Sequence, residues 1–386
     1  MVGLLRERTG HEARVGTVEL FFDLIFVFAI TQLSHGLLAH PSWMGALEAL
    51  LLLLGVWWVW IYTGWATNWL DPERPGVRLM LFALMGVGLV LSMSIPDAFA
   101  ERGLIFAAAL VIMQVGRSLF TALALRPHNR TNYRNFVRIT LWFVLSGLAW
   151  IAGGLAHGQE RLALWALALG IEYLGPFANF YVPGLGRSRT DEWDIEGGHL
   201  AERCGLFIII ALGETILVTG ATAAETAWTV PMLAVLVSAF VTTLAMWWIY
   251  FNIGATRASH VIAHHADPGR VARLAYTYLH LPIVAGIIVS AAGDEMALAH
   301  PVGHLDGATL ATNLGGPILF LAGNLLFKWA TWRRWPFSHA VGIALLLAGV
   351  LVPFHSGLEV SLWACATLLL VAIWESRSLR SASDRA

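Results

Sequence analysis

Apolar residues dominate twelve long segments of this chain, and short polar connections separate them. Each segment is close to the ~20 residues that a helix needs to cross a hydrocarbon core of ~30 Å. Because the segments are continuously apolar and do not alternate, they predict membrane-spanning helices and not the strands of a barrel. Their centres lie near Phe26, Gly55, Gly88, Ala109, Leu148, Leu169, Ile209, Ala239, Ile283, Leu319, Leu346 and Leu368. We therefore predict an all-α integral membrane protein with about twelve transmembrane helices.

The amino-acid composition supports a membrane protein and excludes some classes of binding partner. Of the 386 residues, 58% are hydrophobic and only 13% are charged, whereas globular domains carry about 25% charged residues. A net charge of -1 without a basic tract predicts no nucleic-acid partner. The two cysteines, Cys204 and Cys365, exclude a disulfide framework and a cysteine-rich metal site. The expected partners are the lipid bilayer and an unknown small molecule or ion. The sequence is also compatible with a homo-oligomer.

Basic residues predict the orientation. With the N-terminus placed in the cytoplasm, only Arg102 and Arg161 of the 24 Lys and Arg residues fall on the outer side. This distribution follows the positive-inside rule and predicts that both termini are cytoplasmic. The basic residues before the first segment lack a following cleavage-like site, so we expect a retained first span and not a signal peptide.

Short sequence matches recur in the same order in both halves of the chain. Residues 60–67 resemble residues 248–256, and Leu164-Trp165 matches Leu362-Trp363. Each half has six segments and starts on the cytoplasmic side, so the pattern predicts two parallel six-helix repeats. The predicted divisions are a first repeat at 1–183, a polar cytoplasmic connection at 184–198, and a second repeat with a short basic tail at 199–386.

Four polar residues interrupt the first segment, and they are the first candidates for function. Residues 18–35 read VELFFDLIFVFAITQLSH and contain Glu19, Asp23, Gln32 and His35. An ionisable side chain in hydrocarbon costs roughly 2.5–3.5 kcal/mol, so such groups usually face the protein interior or a wet cavity. The i, i+4 spacing of Glu19 and Asp23 places both carboxylates on one helix face.

The seventh segment carries a second set, with His199, Arg203 and Glu214 near one helix face. Arg203 and Glu214 are eleven residues apart, about 16 Å along a helix, so each needs a partner on another helix. Glu19 or Asp23 is a plausible neighbour for Arg203. These residues predict either an ion pair that fixes helix register or a site for a substrate, an ion or a proton.

Other polar and breaking residues have simpler interpretations. Arg117 and Glu172 are expected to reach the membrane surface, and Trp57-Trp58 is interpreted as an interfacial anchor. The motif at 315–317, Gly-Gly-Pro, predicts a bend or a break in the tenth helix. The histidines that suggest a metal, His260, His264, His265, His300 and His304, lack an HExxH arrangement, so we predict no metal. No P-loop, dinucleotide-binding glycine pattern or GxSxG is present in the sequence, and no cofactor is expected.

The motif VELFFDLIFVFAITQLSH, together with HLAERCGLFIIIALGETIL at 199–217, resembles the bacterial low temperature requirement protein A family. This resemblance covers most of the chain and implies a multi-pass protein of the bacterial inner membrane, associated with growth in the cold or under stress. The residues that match its motifs are Glu19, Phe22, Asp23, Gln32, His35, His199, Glu202, Arg203, Gly213 and Glu214. Arg14 with the FFDLIFVFAIT run is also similar to the opening of the six-helix repeats of a lysosomal and bacterial potassium-channel family, although Phe22 replaces its serine.

Three functions remain open at this point. The preferred one is a transporter or channel-like protein, with the polar residues of the first and seventh helices lining a path. An intramembrane enzyme acting on a lipid or isoprenoid would use Glu19, Asp23, His35 or Glu214 as acid or base. In a structural or sensory membrane protein, the same residues would only hold helices together.

Overall fold

Twelve helices form the framework of the protein in the computed structural model, which describes residues 3–6, 14–189, 193, 195–252, 268–332 and 335–383. The first six are α1 (Thr17–Ala39), α2 (Trp43–Trp69), α3 (Pro75–Ser94), α4 (Gly103–Leu125), α5 (Arg130–Leu155) and α6 (Gly158–Leu174). The others are α7 (Gly197–Glu225), α8 (Val230–Phe251), α9 (Gly269–Ala299, with a π-helical stretch at Arg273–Tyr278), α10 (Gly307–Trp332), α11 (Phe337–Gly349) and α12 (Gly357–Ser383). Every predicted segment centre lies in one of these helices.

Fewer helices than apolar segments have the length and composition expected of a full membrane span. Ten helices in the described part of the chain have the length and composition to cross a membrane. The exceptions are α6, with 17 residues, and α11, with 13. At 1.5 Å per residue, α11 is about 20 Å long and does not cover a ~30 Å core on its own. The expectation that every segment is near full length is therefore wrong for α11, because an apolar run does not fix where a helix ends, whereas α6 lies at the lower limit of about 17 residues for a spanning helix.

The chain folds as two compact units. The first unit comprises Met1–Gly36, Trp43–Arg203 and His265–Arg270, and the second comprises Leu37–Ser42, Cys204–His264 and Val271–Ala386. The division falls inside α7, directly after Arg203. The predicted domain limits at 183 and 198 stay a prediction.

In the first unit, α2 is the central helix. It packs against α4 and α6, while α4 also contacts α3 and α5. Every position of α2 from 55 to 69 is buried, including Trp57 and Trp58. The interpretation of these tryptophans as interfacial anchors is wrong, because neighbouring helices surround this part of α2 and remove both indoles from any surface.

In the second unit, α9 and α10 approach at backbone distance. Gly286 and Gly293 on α9 face the backbone of α10, and Gly316 and Gly323 on α10 face α9, with no room for a Cβ atom at any of the four. Small residues permit such close helix packing in membranes. The predicted break near Pro317 is absent, since α10 continues through this proline. A proline removes only one backbone donor, and the adjacent Gly316 serves close packing against α9.

Candidate functional site

Two acid–base pairs connect the first turns of α1 and α7 within the first unit. Glu19 Oε1 lies 2.9 Å from His199 Nε2, and one turn deeper Asp23 Oδ1 accepts a hydrogen bond of 2.8 Å from Arg203 Nη2. All four side chains are buried. Both helices carry their pairs at i and i+4, so the two contacts are stacked about 6 Å apart along the helix axes. The expected approach of Arg203 to an acid on the first helix is therefore present.

We call Glu19–His199 the outer pair, because it lies nearer the starts of both helices. An arginine from the N-terminal segment also binds its carboxylate. Arg6 Nη2 donates to Glu19 Oε2 at 2.9 Å, and the backbone N–H of Gly16 donates to the same oxygen at 2.9 Å. Arg6 Nε also donates to the carbonyl of Thr67 at the end of α2. Glu19 thus has partners on both oxygens and joins three parts of the first unit. The sequence carries no signal for this role of Arg6, because the residue precedes the first helix and no local pattern marks it.

His199 also contacts a polar side chain of α2. Its Nδ1 lies 3.4 Å from Asn68 Nδ2, and Asn68 exchanges two hydrogen bonds with the backbone of Glu196. His199 Nε2 lies 2.9 Å from Glu19 Oε1 and 3.1 Å from Arg6 Nη2, so this nitrogen contacts both members of the Glu19–Arg6 ion pair. The start of α7 is therefore fixed to both α1 and α2 by hydrogen bonds.

In the Asp23–Arg203 pair, which we call the inner pair, some hydrogen-bonding atoms have no partner among the described residues. Asp23 Oδ1 also accepts a bond of 2.8 Å from Trp60 Nε1, and the guanidinium carbon of Arg203 lies 5.5 Å from the Trp60 ring centroid. Among the described residues, however, Asp23 Oδ2 and Arg203 Nε and Nη1 make no hydrogen bond, although Nη1 lies 3.9 Å from Glu19 Oε1. Buried polar atoms without partners are costly and usually indicate bound water, an ion or a functional role. The inner pair can accept and donate additional hydrogen bonds.

Three candidates from the sequence lie away from this pair. Glu202 is exposed, and its Oε2 accepts a bond of 3.0 Å from the backbone N–H of Val15. Gln32 is half-buried and His35 is exposed, both on α1 and nine or more residues beyond Asp23. That separation exceeds ~13 Å along the helix, so neither side chain joins the Asp23–Arg203 pair.

Glu214 is buried in the part of α7 that belongs to the second unit. The next residue, Thr215, places its hydroxyl 2.7 Å from the hydroxyl of Thr243 on α8. Glu214 is eleven residues beyond Arg203 and is therefore not part of the two stacked pairs. From the sequence we also predict that Glu214 opens onto a polar cavity with His35 or other polar side chains nearby. Glu214 and His35 belong to different units, so this stays a prediction.

A further buried ionic cluster lies deeper in the first unit. Arg117 on α4 donates to the carbonyl of Val59 on α2 at 3.0 Å and contacts Gln114, whose amide reaches Glu172 on α6 at 3.5 Å. Both Arg117 and Glu172 are buried. The expectation that they reach the membrane surface is wrong, because α2, α5 and α6 cover them.

The second unit contains a comparable cluster, whose residues were not among the candidates predicted from the sequence. Lys328 Nζ on α10 donates to Glu375 Oε1 on α12 at 2.6 Å and to the carbonyl of Ile249 on α8 at 2.9 Å. His339 Nε2 on α11 lies 3.2 Å from the same nitrogen. This cluster could have been predicted from the two opposite charges in the tenth and twelfth apolar segments, since each charge needs a partner in a membrane.

The histidine groups provide no metal site that can be described. No cluster of three or more His, Cys, Asp or Glu side chains suited to a metal occurs within residues for which the structure gives positions. His300 and His304 are exposed. His260, His264 and His265 lie outside the described residues.

Comparisons with known proteins agree with the motifs around these pairs. The family model described as "Bacterial low temperature requirement A protein" matches residues 14–373. An uncharacterized protein of Rhizobium meliloti (strain 1021) is 44% identical over 377 residues, which cover 97% of this chain and 92% of that protein. No solved structure matches significantly. This chain, a multi-span helical membrane protein, therefore belongs to the bacterial low temperature requirement A family.

Proposed function

We propose that this protein is a transporter or channel-like protein and that the Asp23–Arg203 pair contacts the solute or ion it moves. The observation that supports this most is the set of hydrogen-bonding atoms left over at the inner pair. Asp23 offers an acceptor at Oδ2, and Arg203 offers donors at Nε and Nη1, all in buried positions. A small solute with both a donor and an acceptor, or water accompanying an ion, would complete these interactions.

The outer pair has a different proposed role. Glu19 is bound by His199, Arg6 and the backbone of Gly16, so both of its carboxylate oxygens have hydrogen-bond partners. This satisfaction favours a structural role, in which Glu19 fixes the starts of α1 and α7 and so positions the inner pair. Removing one partner of a buried ion pair leaves the other charge uncompensated, so the outer pair would be needed for folding.

The experiment that tests the transport proposal separates a solute contact from a purely structural ion pair. The full chain is reconstituted in vesicles, and currents on a solid-supported membrane are recorded on adding K⁺, Na⁺, H⁺, amino acids or sugars. Asp23→Glu retains the charge and extends the side chain, so it should keep the fold but change the current or its half-saturating concentration. Glu202→Gln, an exposed change on α7, is the control and should leave the current unchanged.

Two outcomes would oppose the proposal. If the wild-type protein gives no more current than empty vesicles with every probe, the transport function fails. If currents occur and Asp23→Glu leaves them the same as Glu202→Gln does, the pair is scaffolding and the path lies elsewhere.

We also propose that the two halves are a six-helix internal repeat, supported by equivalent contacts within each unit. Trp165 on α6 donates to a carbonyl of α5, and Trp363 on α12 donates to a carbonyl of α11. Each indole packs on a glycine of the same neighbouring helix, Gly153 or Gly349. These two tryptophans were already matched by sequence.

The buried cations extend the correspondence. In both units, a cation on the fourth helix donates to a carbonyl of the second helix, and a carboxylate comes from the sixth. The cluster contains Arg117 and Glu172 in the first unit and Lys328 and Glu375 in the second. Such agreement is expected if both halves descend from one six-helix unit.

The family's description suggests a physiological role at low temperature, and we propose that this chain supports growth in the cold. A deletion strain should grow more slowly than its parent at low temperature and equally well at its optimum. Complementation with Glu202→Gln should restore growth, whereas Asp23→Asn should not. Equal growth of deletion strain and parent in the cold would exclude the role.

A further inference from the structure

Two grooves on the surfaces of membrane-spanning helices differ in chemistry. One, of about 440 Å³, lies between α4 and α5 and is lined only by apolar residues, among them Val115, Val144 and Leu148. The other, of about 400 Å³, lies between α8 and α12 within the second unit. Its walls include Val241, Leu244 and Leu369, but one end carries Trp248, Ser376 and Arg377. We call this second groove the α8–α12 groove.

The polar end of the α8–α12 groove is organised around Ser376. Its hydroxyl accepts bonds from Trp248 Nε1 at 2.7 Å and from Asn252 Nδ2 at 3.1 Å, and it donates to the carbonyl of Ala372 at 2.8 Å. The Ser376 hydroxyl therefore makes all the hydrogen bonds it can, and it keeps the side chains of Trp248 and Asn252 in place. Trp248 and Ser376 lie in the last turns of the two spanning segments, Val230–Phe251 and Gly357–Ser378, and Asn252 directly follows the first. A helix leaves hydrocarbon for the headgroup region at such ends.

Arg377 supplies a positive charge at this end. Its side chain is exposed, and it forms no ion pair with a residue that the structure describes. The apolar wall begins at Val241, seven residues before Trp248 on α8, which corresponds to about 10 Å of helix axis. A cation at the mouth of a long apolar groove matches a molecule that has an anionic head and a hydrocarbon chain.

We propose that the α8–α12 groove binds an anionic phospholipid, with one acyl chain along the apolar wall and its phosphate at Arg377. Charge complementarity selects the lipid class, since a zwitterionic headgroup gains less from an isolated guanidinium. Basic pockets between transmembrane helices bind anionic headgroups in this way. The α4–α5 groove contacts acyl chains as well, but it has no charged residue and therefore does not distinguish headgroups. This inference is independent of the proposed transport function.

The test compares lipid retention by the full-length protein in native mass spectrometry, with phosphatidylglycerol and phosphatidylcholine as the probes. Wild-type protein should retain phosphatidylglycerol in preference to phosphatidylcholine. Arg377→Gln should reduce this preference about fivefold, the effect expected for one basic side chain near anionic lipid. Arg126→Gln removes an exposed arginine in the first unit, away from both grooves, and is the matched control.

Filling the grooves tests the acyl-chain part of the proposal. Val241→Trp should block the α8–α12 groove and remove the phosphatidylglycerol preference. Val144→Trp, the same change at a surface position of the α4–α5 groove, should preserve it. The proposal is overturned if Arg377→Gln keeps the wild-type preference, if Arg126→Gln loses it equally, or if the two tryptophan variants behave alike. Because Arg377 is exposed, its replacement leaves the fold intact, and the melting temperature verifies this.

Discussion

Asp23 Oδ1 on α1 and Arg203 Nη2 on α7 lie 2.8 Å apart, and each residue stands four positions beyond a member of the Glu19–His199 pair. The two pairs are therefore stacked, but they are not equivalent. The outer pair has a partner for each carboxylate oxygen, while the inner pair retains hydrogen-bonding atoms that no described residue satisfies. This difference determines which substitutions should affect folding and which should affect activity.

A double-mutant cycle on the inner pair should show strong coupling. Asp23→Asn and Arg203→Gln should each reduce the free energy of unfolding by about 3 kcal/mol, because each leaves the other charge buried and unpaired. The double variant should lose clearly less than the sum of the two. Unfolding would be measured by steric trapping or by denaturant in detergent. Glu202→Gln should change stability by less than about 0.5 kcal/mol, and additive losses in the cycle would show that the two side chains act separately.

Glu19→Gln should affect folding, whereas Glu214→Gln should affect transport. Glu19→Gln should lower the yield of folded protein, since Arg6 and His199 both lose a charged partner. Glu214→Gln should leave expression close to normal but abolish transport, because an ionisable group buried in the middle of α7 is costly to keep without a role. Detergent-extracted yield and vesicle currents are the two measurements. If Glu214→Gln retains full transport activity, Glu214 has only a structural role.

Cysteine labelling should determine whether α6 crosses the membrane. Gln159→Cys at its start and Arg189→Cys beyond its end are both exposed. We expect an impermeant thiol reagent to label them from opposite sides, with Arg189→Cys on the cytoplasmic side. The native Cys204 and Cys365 are buried and provide a low background. Labelling of both sites from one side would mean that α6 does not span, and that the second half starts with the opposite orientation from the first.

The Lys328–Glu375 pair should tolerate joint removal better than single removal. Lys328→Met or Glu375→Leu alone should cost about 3–5 kcal/mol, because the remaining charge stays buried without its opposite charge. The combined variant should recover most of this loss, as apolar side chains of similar volume replace the pair. Thermal unfolding of the purified variants would report the effect. A combined variant less stable than both single variants would assign the pair a role beyond mutual neutralisation.

The sequence alone determined the elements and one contact between them. Continuous apolar runs predicted all twelve helices, because in lipid a backbone must satisfy its own hydrogen bonds. The cost of a charge in hydrocarbon predicted that Arg203 would meet Glu19 or Asp23, since few acids are available within the membrane segments. The family followed from the motifs that contain these same residues.

Only the tertiary structure decided which side chains are interior. Lipid is as apolar as a protein core, so the hydrophobic pattern of a spanning helix does not reveal its buried face. Trp57 and Trp58, assigned to an interface, are enclosed in the first unit, and Arg117, expected at the surface, is buried against α2. The role of Arg6 also required the fold, because its partner Glu19 is thirteen residues away and His199 is 193 residues away. Contacts between distant parts of the chain depend on how helices pack, and no local periodicity encodes that.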